Sequence, residues 1–222
     1  MHHPLRAMLA TLLLAGCAKP VAVIPLTIDP PSSPQPKWRE ALSEDDRERL
    51  DRLPQIWRSA LDAVPKREQR LLARQGDLVD PDAAKDHPLT PPGSYHCRLV
   101  RIGEARGRRP AVQVFPEFFC FVRGEGKGQL SFTKQTGSEL PGGWLHPASD
   151  KGLVLLGARQ RAAGDNSIAY GDDEERDLVG LLERIGYFRW RLVLPSRDGV
   201  PGVDIYELWP VPPDQQPPAP DE

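Results

Sequence analysis

Apolar and polar residues alternate in short runs over the second half of the chain, and this pattern predicts strands. Leu130 and Phe132 alternate with Ser131 and Thr133, and Trp190, Leu192 and Leu194 alternate with Arg189 and Arg191. A period of two is that of a half-buried strand. Eight runs of this texture occupy residues 94–102, 112–122, 129–135, 142–146, 152–159, 178–185, 188–194 and 203–209. Turn formers separate them, among them Gly124-Glu125-Gly126-Lys127-Gly128, Ala148-Ser149-Asp150-Lys151, Ile185-Gly186-Tyr187 and Arg197-Asp198-Gly199. Most gaps have hairpin length, so neighbours are expected to pair antiparallel. Only residues 160–177 leave room for a crossover. About eight antiparallel strands over residues 88–211 close into an up-and-down, lipocalin-like β-barrel, which removes exposed edges. A β-sandwich is the second choice.

The period changes before that domain. Leu50, Leu53, Trp57, Leu61 and Val64 recur at helical intervals. Ser43 followed by Asp46 has capping-box spacing. Pro54 predicts either a kink or two short helices, with the proline in a first turn. A further helix over 66–75 ends at Gly76. The helical region, 38–87, is too small for its own core and is expected to pack on the barrel. An amphipathic helix that binds a partner is the alternative. The protein is thus mainly β with a short N-terminal α-helical region.

The N-terminus has another texture. Arg6 precedes an apolar stretch, 7–16, that closes on Leu14-Ala15-Gly16-Cys17, and Lys19 and Pro20 follow. A spanning helix needs ~20 apolar residues, so this reads as a signal peptide, residues 1–16, rather than a membrane span. The Cys placement resembles the lipobox of bacterial lipoproteins. That resemblance implies acylation of Cys17, cleavage before it and a lipid anchor in the membrane. A single chain holds only marginally, at ~0.8 kcal/mol per buried CH2, whereas several hold stably. Ala18, where Asp would retain a lipoprotein at the inner membrane, implies the Gram-negative outer membrane and its periplasmic face. Residues 17–37 carry Pro20, Pro25, Pro30, Pro31, Pro34 and Pro36, a tether that reaches up to ~60 Å at ~3.1 Å per residue. Residues 212–222, rich in Pro and Gln, are expected to be a disordered tail.

Charge and cysteines narrow the picture. The formal charge of −2 becomes one unit more negative on loss of Arg6, which gives no electrostatic case for nucleic acid. Of three cysteines, lipidation uses Cys17 and leaves Cys97 and Cys120, the number needed for one bridge in an oxidising compartment. A hairpin centred near Arg108 and Arg109 would set them opposite one another. Such a bridge stabilises by ~3 kcal/mol in the chain-entropy model.

Sites of chemistry are sparse. Gly124, Gly126 and Gly128 form a GxGxG, but a strand follows where a phosphate loop needs a helix. Asp172, Asp173, Glu174, Glu175 and Asp177 cluster without the EF-hand pattern, and a solvated loop is expected. No HExxH or GxSxG occurs. His96 and His146 are the histidines of the strand region, so a periplasmic hydrolase using either is the enzyme class to test. Tyr95, Phe115, Phe118, Phe119, Phe121, Phe132, Trp144 and Trp190 either fill the barrel or line a cavity for a small apolar ligand; filling is the favoured reading. No cofactor or metal is implied.

Several motifs are similar to an uncharacterised proteobacterial lipoprotein family, domain of unknown function 4893. They are Tyr95-His96-Cys97-Arg98, Phe119-Cys120, Thr133-Lys134-Gln135-Thr136-Gly137-Ser138, Leu182-Glu183-Arg184-Ile185-Gly186 and Arg189-Trp190-Arg191-Leu192-Val193-Leu194-Pro195. Glu139-Leu140 departs from the Gln-Arg expected there. The resemblance supports an envelope location and the Cys97 and Cys120 pairing, and implies no activity. The expected function is a lipid-anchored envelope protein whose β domain binds a ligand or an envelope protein without catalysis. The hydrolase and a structural envelope spacer are the alternatives.

Overall fold

Strand β1 (Gly93–Gly103) turns Tyr95, Cys97 and Leu99 to one face and Val100 and Ile102 to the other, and both sets are buried. A strand apolar on both faces needs cover on both, and the rest of the chain supplies it. The computed structural model describes residues 37–124, 126, 128–137, 140–160, 169–196 and 201–215. Cys17, the signal and nearly all of the tether lie outside them, as do Ser138 and residues 216–222 of the tail. The first tail residues, Pro213–Gln215, form a 3-10 turn rather than irregular chain.

Eight more strands follow: β2 (Val112–Val114), β3 (Phe118–Gly124), β4 (Leu130–Lys134), β5 (Leu140–Ser149), β6 (Gly152–Gln160), β7 (Asp177–Gly186), β8 (Arg189–Pro195) and β9 (Gly202–Pro210). From β3 to β9 each strand pairs antiparallel with the next, and β1 joins β3 at one side. β9 returns to β1 from Tyr95↔Pro210 to Gly103↔Gly202. That pairing closes an eight-stranded antiparallel barrel and decides against the sandwich. β2 is a ninth, short strand on the far half of β1, at Val100 to Ile102.

The run at 112–122 is therefore two strands, not one. Pro116 has no N–H to continue a ladder, and the chain breaks around it. β2 takes the second half of β1, and β3 takes Gly93 to Cys97. The long connection after β6 makes no crossover either, since β7 pairs antiparallel with β6.

The barrel interior is solid. Tyr95, Leu99, Phe132, Leu155, Leu182, Trp190, Leu192, Tyr206 and Leu208 form one buried cluster within it. Gly143 and Gly157 are cross-strand partners, and their backbones touch. A Cβ on Gly157 would lie 1.9 Å from the Gly142 carbonyl oxygen and 2.6 Å from the Gly143 Cα. Only backbone movement relieves that overlap. Gly157→Ala is expected to cost about 3 kcal/mol, at the upper end for overpacking, read from urea denaturation.

Short helices cover part of the outside: α1 (Lys37–Ala41), α2 (Glu44–Asp51), α3 (Leu53–Asp62) and α4 (Gln69–Ala73). The Ser43 hydroxyl accepts from the Asp46 N–H at 3.2 Å, the expected cap. Pro54 sits in the first turn of α3, where a missing N–H costs no helical bond. Leu53, Trp57, Ala60 and Val64 pack against Val100, Ile102, Val193 and Ile205. The expected amphipathic stripe is thus spent on the barrel. Trp38 and Leu42 pack on Val154, Leu156 and Val179. The helix over 66–75 shrinks to α4, followed by a 3-10 turn, Gly76–Leu78, that starts on Gly76 at φ 53°.

The two ends of the barrel differ. At the lower end, where β1 begins, the segment 85–92 crosses the opening. The Lys85 N–H donates to the Arg184 carbonyl at 2.8 Å, the His87 N–H to Asp150 at 2.9 Å, and the Tyr95 hydroxyl to the Pro91 carbonyl at 2.5 Å. Pro88 and Thr90 within it are buried. The upper end has no such strap among the described residues.

Candidate functional site

The upper mouth is built by strand parity. In β1 the inward series Tyr95, Cys97, Leu99 continues to Arg101, and in β9 the series Leu208, Tyr206 continues to Asp204. Arg101 and Asp204 are direct cross-strand partners. Their contact is bidentate, Nε to Oδ1 at 2.6 Å and Nη2 to Oδ2 at 2.6 Å. The fork geometry fixes the guanidinium plane. The Phe115 ring lies 5.6 Å from the Arg101 Cζ. Each side chain of the pair keeps about a quarter of its surface, 25% and 21%, so the pair stands at the boundary of core and solvent.

Above this pair opens a cleft of about 480 Å³. Leu178, Leu194 and Tyr206, the last of the interior layer, lie at its base. Arg106 and Arg109 come from the β1–β2 turn, Arg159 from the end of β6, and Glu104 and Glu175 from the loops. Four guanidinium groups and three carboxylates line it. Glu104 pairs with Arg106 at 3.3 Å. The volume suits a small molecule, and the wall is charged rather than apolar.

Of the residues singled out from sequence, Glu175 of the acidic cluster lines the cleft, while the cysteines and histidines lie elsewhere. Cys97 and Cys120 form a disulfide inside the barrel, both fully buried. They are not directly opposite. Cys97 faces Phe118 and Cys120 faces Tyr95, so the bridge is diagonal, with Cα atoms 6.0 Å apart. The hairpin register differs because β3 starts after the Pro116 break.

His96 is on the outer face of β1. Its ring lies between Phe119, with centroids 5.2 Å apart, and Trp209, at 5.8 Å. His146 is on the outer face of β5, opposite Val154. Neither lines the cleft. Burial pulls the His146 pKa below its usual 6.5. The unfolded chain then takes up a proton before the folded one does. Stability from this group is complete above pH 6.5 and is lost as the pH falls through the lowered value. His146→Asn is expected to flatten the acid side of a Tm–pH profile between pH 7 and 5.

The acidic cluster is a loop-building device. Asp177 accepts from the Gly171 N–H at 2.9 Å, and Asp172 from the Ala169 N–H at 3.1 Å. Among the described residues no group of His, Cys, Asp and Glu could hold a metal ion. Gly126 and Gly128 adopt φ of 80° and 76° in the β3–β4 turn, which is the turn role expected of them.

Sequence reasoning missed Arg101, Asp204 and the arginines around them. The available signal was a charge at core-facing parity in β1. It was obscured because β1 and β9 are apolar on both faces.

Fold and site together define a class: an antiparallel eight-stranded barrel with helices outside and a packed interior, strapped below and, among the described residues, with a charged cleft above. The chain belongs to the family described as Domain of unknown function (DUF4893), whose family model matches residues 38–208. Neither a curated protein nor a solved structure matches it.

Proposed function

We propose that this chain is a lipid-anchored, periplasm-facing envelope protein whose barrel binds a small anionic or zwitterionic solute at its upper mouth. The cleft carries the binding half of this reading. A preset guanidinium at Arg101, further arginines on the wall and an apolar base form a place for a charged headgroup on a compact body. The solid interior favours a polar ligand at the mouth over an apolar one inside. Leu14-Ala15-Gly16-Cys17 carries the anchoring half. The buried Cys97–Cys120 bridge supports an oxidising compartment. A bare spacer has no use for such a cleft.

Thermal unfolding with inorganic phosphate, acetate, L-glutamate and alanyl-glutamate as probes tests the binding half. A ligand at about 100 times its Kd stabilises by about 2.7 kcal/mol, or roughly 5–10 °C for a chain of this size. At least one probe is expected to raise the Tm. Arg109→Ala, exposed and outside the core, is expected to abolish that rise while leaving the unliganded Tm in place. No shift with any probe overturns the binding half. Metabolic palmitate labelling that fails to mark the protein, or survives Cys17→Ser, overturns the anchoring half.

A further inference from the structure

We infer that the lower end of the barrel lies against the lipid surface, with the β7–β8 turn and the 85–92 strap as the contact. The inference rests on the anchoring half of the proposed function. Large apolar side chains stand exposed at this end: Tyr187 at 88%, Leu89 at 65% and Phe188 at 61%. Tyr187 and Phe188 form the hairpin tip, their rings edge to face with centroids 5.1 Å apart. Phe188 holds φ at 52°, a conformation rare for a bulky residue, and it presents the ring to solvent. Aromatic rings exposed at a tip suit the interfacial layer of a bilayer, where an apolar body and a wet rim coexist.

The route of the chain sets the orientation. The indole N–H of Trp38, at the start of α1, donates to the Pro147 carbonyl at 3.2 Å, beside the β5–β6 turn of the lower end. Lys37, the first described residue, therefore stands at this same end. About twenty residues separate Cys17 from Lys37, a reach of no more than ~60 Å. A tether of that kind sets an effective concentration in the millimolar range. Contacts too weak to recruit the protein unaided are then populated. The charged cleft, at the opposite end, faces away from the bilayer.

The experiment supplies the anchor artificially, so that it reads the contact whether or not Cys17 is acylated. Residues 18–222 carry an N-terminal hexahistidine and are held on phosphatidylethanolamine–phosphatidylglycerol vesicles through a nickel-chelating lipid. An environment-sensitive NBD label is placed at Tyr187→Cys, and in a second protein at the upper-end turn, at Arg108→Cys. Tethering is expected to raise the Tyr187→Cys emission at least twofold with a blue shift, and to leave the Arg108→Cys emission unchanged. Adding Phe188→Ser is expected to halve the Tyr187→Cys response or reduce it further. Equal emission from the lower-end label in buffer and on vesicles overturns the inference, as does an equal response from the upper label. A response that follows protein concentration without vesicles assigns the tip to a second copy and likewise overturns it. Loss of palmitate labelling bears only on the anchoring reading.

Discussion

Arg191→Met is expected to destabilise the protein by about 3–5 kcal/mol, the cost of breaking a buried ion pair from one side. Arg191 is fully buried on the outer face of β8, under the helical layer. Its Nε donates to Glu183 Oε2 at 2.8 Å. Its Nη1 meets the carbonyls of Asp77, Leu78 and Asp80 at 2.9, 3.2 and 2.6 Å, and its Cζ stands 4.5 Å from the Trp57 ring centroid. One side chain thus joins β7, β8, α3 and the segment after α4. Methionine matches its length but leaves a buried carboxylate and several carbonyls without a donor.

Burial pushes the Glu183 carboxyl above its usual 4.5 although Arg191 pulls the other way, and burial lowers Arg191 although Glu183 opposes it. Both groups lose hydration on burial, and the pair fixes the placement of the helical layer through its contacts with β7, α3 and the segment after α4. Two orderings follow. Glu183→Gln is expected to cost less than Arg191→Met, because an amide oxygen still accepts from the guanidinium. The double replacement of both by methionine is expected to cost less than Arg191→Met alone. Urea denaturation of the three proteins measures this, and an Arg191→Met protein within about 1 kcal/mol of the parent refutes the clamp. The raised Glu183 also fixes a pH slope. Its cost is absent below pH 4.5 and sets in as the pH rises through the folded value, opposite in sign to the His146 effect.

Reduction of the Cys97–Cys120 bridge is expected to cost about 3 kcal/mol in the chain-entropy account. The bridge spans a sequence separation of 23 and holds β1 to β3 within the barrel. Both cysteines are fully buried, so a reductant is expected to act only after unfolding. In a protein lacking Cys17, dithiothreitol should leave the native state without titratable thiols, and denaturation in its presence should yield two. The urea midpoint of the reduced protein should fall by about 1 M or more, taking ~2–3 kcal/mol per M for the slope. Two free thiols in the native protein would refute the bridge.

Much of this fold was legible as period. The strands at 129–135 and 152–159 lie where alternation and turn residues put them, because local chemistry alone ends them. The helices at Ser43 and Pro54 were legible for a similar reason: cap and proline act within one turn. The break at Pro116 was less visible, since Val112 to Val122 stays apolar through it and periodicity does not register one missing N–H. α1 escaped notice because its five residues depend on Trp38 packing against the barrel.

The candidate site was mostly hidden. Arg101, Asp204, Arg109 and Arg159 lie far apart in sequence and meet only where strand ends converge on one mouth. The histidines drew attention as chemistry-bearing residues, and the barrel turned both outward. The sequence by itself determined the strand-rich class, the pairing of the two interior cysteines and the helical stripe, all consequences of local spacing and residue type. Only the tertiary structure decided that β9 closes on β1, that the interior is filled, and that charge gathers at one end and exposed aromatics at the other. Those features follow from register and closure, which depend on residues distant in the chain and leave no local pattern.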